Sequence, residues 1–112
     1  MNRLQAGQYR RGHAGTITVD SLSSQGGETW AMVRAPDTGT FAERAHVMAI
    51  AYPEVVVEVG QRRRDASGKL DVAVADYIPS YEGPWVIRMP WGTSAYLRID
   101  ELLAEYPEAI PT

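Results

Sequence analysis

The chain has 112 residues, of which 45% are hydrophobic and 22% charged; its net charge is −3 and it contains no cysteine. That balance fits one folded domain and argues against disorder and membrane spanning, and the absence of cysteine excludes disulfides and thiolate zinc sites. A negative net charge also argues against a general nucleic-acid binder, although ten of the eleven basic residues are arginine.

Residues 1–13 carry Arg3, Arg10, Arg11 and His13 with little apolar material and neither helical nor strand period, so they read as a loosely ordered basic arm ahead of a single domain over residues 14–112. The arm has no apolar run like that of a secretory signal. The longest apolar region, residues 45–59, is broken by His46, Pro53, Glu54 and Glu58, so it is unsuited to spanning a bilayer. Cytoplasmic residence is the resulting expectation.

From Thr16 to Ser21 the residues alternate, with Ile17 and Val19 on one side; residues 23–27, SSQGG, supply turn chemistry before a second strand over residues 28–35. Phe41, Ala45, Met48 and Tyr52 recur at helical spacing, and Thr40 with Glu43 has the form of a capping box, so a helix is expected over residues 41–52. Pro53 ends it, and Val55, Val56, Val57 and Val59 follow as a buried strand.

Strands over residues 54–64 and 69–78 flank Asp65-Ala66-Ser67-Gly68, a turn composition. A register with Arg64 opposite Lys69 pairs Arg62 with Asp71 and sets Asp76 opposite Val57 on the apolar face. Trp85–Met89 and Ser94–Ile99 form a further pair around Pro90-Trp91-Gly92-Thr93, and Asp100 caps a short helix through Tyr106, stopped by Pro107. The predicted architecture is α+β: a mostly antiparallel sheet in the order β-β-α-β-β-β-β-α, packed on the central helix, with a short C-terminal helix. Apart from the Pro-Trp dipeptides at residues 84–85 and 90–91, the sequence presents no internal repeat.

Two residues are candidates for acid–base chemistry. His46 has Glu43 one turn before it, and a carboxylate can orient an imidazole; on the apolar face, Asp76 would have its pKa displaced by burial. Neither sits in a motif that specifies a reaction, and the bland reading of each is a solvated side chain. No G-x-S-x-G, phosphate loop or histidine ligand spacing occurs, so no catalytic residue, metal or cofactor is assigned. Arg62, Arg63 and Arg64 resemble a nucleic-acid finger on paper, but strand geometry points alternate arginines to opposite faces, and a charge-protected hairpin end is the simpler reading.

The aromatic run is the most suggestive feature. Tyr77, Tyr81, Trp85, Trp91 and Tyr96 fall within twenty residues and are separated by prolines and glycines that stiffen the intervening loops. Rigid rings with polar tips suit recognition surfaces, yet a chain with one phenylalanine must also draw on them for its core. Trp85 and Tyr96 are expected inside, Tyr81 and Trp91 outside. The functional expectation is a small non-catalytic protein that binds a protein partner, or a second copy of itself, through residues 77–96. The alternative is a small-ligand protein or enzyme with a cavity between sheet and helix, using Asp76 or His46.

Overall fold

The computed structural model describes residues 3–80 and 84–111. They form a mostly antiparallel α+β structure with ten strands and two short helices, and they divide into two compact units, Met1–Glu58 and Val59–Thr112, where one domain was expected.

In the first unit, β1 (Gln8–Gly12), β2 (Gly15–Gln25), β3 (Glu28–Ala35) and β4 (Gly39–Arg44) form a meander, α1 (Ala45–Ala51) follows, and β5 (Glu54–Glu58) returns to pair with β1. The sheet order is β4-β3-β2-β1-β5. Its core gathers Leu4, Ile17, Val19, Ala31 and Val33 with Met48 and Ala49 from α1. Each fully buried valine or isoleucine there contributes on the order of 2 kcal/mol of hydrophobic stabilisation.

Two sequence expectations change in this unit. Residues 8–12 are not a loose arm, because β1 is an interior strand flanked by β2 and β5. The helix expected over residues 41–52 is confined to Ala45–Ala51, since Gly39–Arg44 pair with β3 and Thr40 lies opposite Arg34 instead of capping a helix. Phe41 and Ala45 are four residues apart, a spacing that suits one side of a strand as well as one turn of a helix, and cross-strand pairing of Phe41 with Val33 decides the outcome. Pro53 does act as predicted: α1 stops at Ala51 and is capped by Tyr52, whose N–H donates to the Met48 carbonyl at 2.9 Å.

The second unit repeats this plan. β6 (Arg62–Arg64), β7 (Asp71–Tyr77), β8 (Trp85–Arg88) and β9 (Ser94–Leu97) form a meander, α2 (Ile99–Glu105) follows, and β10 (Glu108–Ile110) pairs with β6. The order β10-β6-β7-β8-β9 is that of the first unit. The agreement extends to details. Gly7 N–H donates to Val19 O at 2.9 Å and Gly60 N–H to Val74 O at 2.8 Å; Val19 lies opposite Val33, and Val74 opposite Ile87. Immediately past that pair, each hairpin carries a bulge. Gly7-Gln8-x-Arg10-Arg11 thus corresponds to Gly60-Gln61-x-Arg63-Arg64, and Tyr52-Pro53-Glu54 to Tyr106-Pro107-Glu108. The chain contains an internal repeat after all.

The predicted hairpin across residues 54–78 gives way to this arrangement. Glu54–Glu58 pair with β1, and Arg64 lies opposite Asp71, two residues from the expected register. A two-residue slide keeps every side chain on its predicted face until the bulge between Val74 and Asp76, which turns Asp76 outward. α2 begins one residue before Asp100, and Glu101 closes its first turn by accepting from Arg98 N–H at 3.0 Å.

Candidate functional site

The repeated segments converge on one arrangement in each unit. Gln8 and Arg10 are two apart on β1, so both point inward, and both are buried. The Arg10 Nε donates to Tyr52 O at 2.7 Å and a terminal nitrogen donates to Gln8 Oε1 at 2.8 Å. Gln8 Nε2 donates in turn to Glu58 Oε2 at 3.3 Å. In the second unit Arg63 Nε donates to Tyr106 O at 2.7 Å, its terminal nitrogens to Gln61 Oε1 at 2.9 Å and Pro107 O at 3.0 Å.

Each clasp satisfies carbonyl groups at a helix C-terminus, which carry partial negative charge and lack intrahelical partners. Burial pulls both guanidinium groups below the usual arginine pKa, with Glu58 opposing the shift at Arg10. Gly12, beside the first clasp, has no room for a side chain: a Cβ there would collide with the Ala51 carbonyl. These arginines are structural ties that hold the first strand of each unit to the end of its helix. Sequence reasoning missed them because arginine is seldom fully buried.

The aromatic candidates separate into two sets. Tyr77 and Trp85 are core, 7% and 1% exposed, with ring centroids 4.7 Å apart. Trp91 and Tyr96 are exposed at 66% and 65%. Both belong to the β8–β9 hairpin, Trp91 in the turn closed by Met89 N–H donating to Thr93 O, Tyr96 on β9 opposite Val86. Tyr96 was expected inside, but its neighbours Ala95 and Leu97 take the inward positions of this short edge strand. Tyr81 lies outside the described residues.

Arg62, Arg63 and Arg64 do not form one cationic surface. Arg63 is buried; Arg62 and Arg64 both reach Asp71, at 3.5 and 3.0 Å, and Arg64 also approaches Glu108 at 3.8 Å. The hydrogen bond from Arg64 to Asp71 raises the guanidinium pKa. At the adjoining turn, Asp65 accepts from Leu70 and Lys69 N–H and from the Ser67 hydroxyl, and those donors hold its carboxyl below the usual carboxylate range.

Asp76 is exposed and accepts from Tyr77 N–H at 2.8 Å. His46 is an exposed residue of α1 on the rim of a groove in the first unit. The two belong to different units. Among the described residues no cluster of His, Asp and Glu could hold a metal ion, and no helix is long and apolar enough to cross a membrane. In comparisons with known proteins, the chain matches no family model, no curated protein and no solved structure.

Proposed function

We propose that the chain is a non-catalytic binding protein that recognises a protein partner through the β8–β9 hairpin, with Trp91 and Tyr96 as the contact rings. The observation that carries this reading is the exposure of two large aromatic side chains, at 66% and 65%, on one short hairpin. Large rings are costly to leave in water and are over-represented among residues that dominate binding energy. Pro90 and Gly92 restrain and shape the turn that holds Trp91, so the ring is displayed with little conformational freedom to lose on binding.

Trp85, on the hairpin's first strand, is buried and packs against Tyr77 in the core, so these two rings are taken up by the fold. Asp76 and His46 offer an enzyme reading no constellation: one is a solvated side chain bonded to its neighbour's amide, and the other is an exposed residue with no ion pair among the described residues. A cytoplasmic setting and an occupant drawn from proteins rather than nucleic acids remain parts of the same proposal.

The test is a double substitution, Trp91→Ala with Tyr96→Ala. Because neither ring is buried, stability should change by less than about 0.5 kcal/mol. Pull-down with the wild-type chain, followed by titration of the purified captured protein against both forms, should show at least a tenfold loss of affinity in the variant. If the variant binds as tightly as the wild type, or if neither capture nor light scattering reveals a partner or oligomer, the proposal fails.

A further inference from the structure

We propose that the groove of the first unit is a second binding site, built to take an aromatic side chain flanked by a carboxylate and presented by a peptide segment of a partner protein. This inference does not depend on Trp91 or Tyr96.

The internal repeat supplies the argument, because the second unit shows what fills the same place when it is closed. The bulged hairpins correspond residue by residue: three positions past Val19 is Leu22, which pairs with Ala31, and three past Val74 is Tyr77, which pairs with Trp85. The helices correspond through Tyr52 and Tyr106, so Ala45 and Ala49 of α1 stand where α2 has Ile99 and Leu103. At all of these positions the first unit has the smaller side chain. In the second unit, the Tyr77 and Trp85 rings pack with centroids 4.7 Å apart at a 44° tilt and are withdrawn from water.

In the first unit the deficit is only partly filled. Leu4, from the segment ahead of β1, enters the core and is 4% exposed, but an open groove of roughly 1040 Å³ remains, walled by Leu22, Ala45, Ala49 and Ile50. Leu22 and Ile50 are 38% and 67% exposed along it. A ring entering from a partner would restore the packing that the sister unit makes with its own residues. The volume suits more than a single ring, which favours a peptide segment over an isolated small aromatic.

Charge specifies the neighbour of that ring. Three charged or titratable side chains line the groove: Arg3, Glu28 and His46. Glu28 is bound to Arg44, which approaches it at 3.2 Å while lying over the Trp30 ring. Arg3 has no ion pair among the described residues. A carboxylate beside the incoming ring therefore meets an uncommitted cation, whereas a basic neighbour would not.

The experiment follows backbone amide resonances of the full chain during titration with the probe peptide acetyl-Glu-Trp-Glu-amide, alongside its Gln-Trp-Gln and Glu-Leu-Glu counterparts and free indole. The expected result is a saturable shift of the Leu22, Ala49 and Ile50 amides. The Gln-Trp-Gln peptide should bind about fivefold more weakly, the loss of one exposed charge pair, and the leucine peptide more weakly still. Arg3→Gln, an exposed substitution without folding consequence, should bring the Glu-Trp-Glu peptide down to the affinity of its glutamine counterpart. Leu22→Tyr, which copies Tyr77, and Ala49→Leu, which copies Leu103, should each abolish the shifts; having two filling variants guards against misfolding of either one.

The proposal is overturned if the groove amides do not shift, if leucine binds as well as tryptophan, if indole alone matches the peptide, or if those amides shift with protein concentration in the absence of peptide, which would make a second copy the occupant. Loss of the Trp91 and Tyr96 function leaves each of these outcomes unchanged, so the two sites fail or stand separately.

Discussion

The two units solve one folding problem with different materials. Both follow a four-stranded meander with a seven-residue helix and return a last strand to pair with the first, and both tie that first strand to the helix end with a buried arginine. They differ in how the hairpin end of the core is filled. The second unit uses Tyr77, Trp85 and Leu102; the first uses Ala31 and Met48, borrows Leu4 from outside the meander, and leaves Leu22 38% exposed. The lesson is that the backbone plan and its polar tie are one layer of specification and side-chain volume is another. The second layer can change, leaving a groove or a sealed core, while the first persists.

The comparison breaks most visibly at Trp85. Trp85→Ala should cost about 4 kcal/mol, the usual range for emptying a fully buried aromatic site, whereas Leu22→Ala at the corresponding hairpin should cost less than about 1.5 kcal/mol because that side chain already meets water. Urea denaturation followed by far-ultraviolet circular dichroism measures both. Equal costs would mean that the two hairpin ends are not filled differently.

A smaller effect tests what the units share. Arg10→Met and Arg63→Met each remove charged hydrogen bonds to buried carbonyl groups and should each destabilise by about 3 kcal/mol. Lysine in either place keeps the charge but cannot reproduce the guanidinium fork, so Arg→Lys should recover only part of the loss. A near-neutral result in one unit alone would show that the tie matters only in the other.

The smallest effect separates the units by pH. Asp65 stands at the position of Gly12, and only the second unit has a carboxylate at this turn. Its folded-state pKa lies below the unfolded value through hydrogen bonds from Leu70, Ser67, Lys69 and Gly68, so its stabilising contribution is present above the ordinary carboxylate pKa. It is lost as pH falls through the depressed value. Asp65→Asn should therefore be less stable than wild type near neutrality, with the gap closing in acid; a gap that persists unchanged below the ordinary carboxylate range would contradict this assignment.

The parts of the fold that were legible in the sequence are those written in local chemistry. Alternation in Thr16–Ser21, the Asp65–Gly68 turn and the stop at Pro53 lead to the observed elements, whereas of the turn expected over residues 23–27 only Gly26-Gly27 turns, because Ser23, Ser24 and Gln25 continue β2. The strand at Gly39–Arg44 was hidden because Phe41 and Ala45 satisfy two periods at once, and only the cross-strand partner Val33 distinguishes them. Asp76 was misplaced by a bulge, which no local pattern announces. The repeat escaped notice because its recurring residues sit at the two ends of each unit, separated by a core whose side chains differ in size. Of the candidate site, Trp91 was readable from its turn. The groove could be seen only by setting one unit beside the other.

The buried arginines grip main-chain oxygens, at Tyr52 and at Tyr106 and Pro107, and not side chains. Such a grip is indifferent to the identity of the residue gripped. Saturation mutagenesis should accordingly find residues 10 and 63 intolerant of nearly every replacement, while position 52, half exposed and gripped at its main chain, accepts other side chains that keep its packing against the core. Two neighbouring participants in one bond would then show opposite mutational profiles, a signature by which other chains built on the same tie could be recognised.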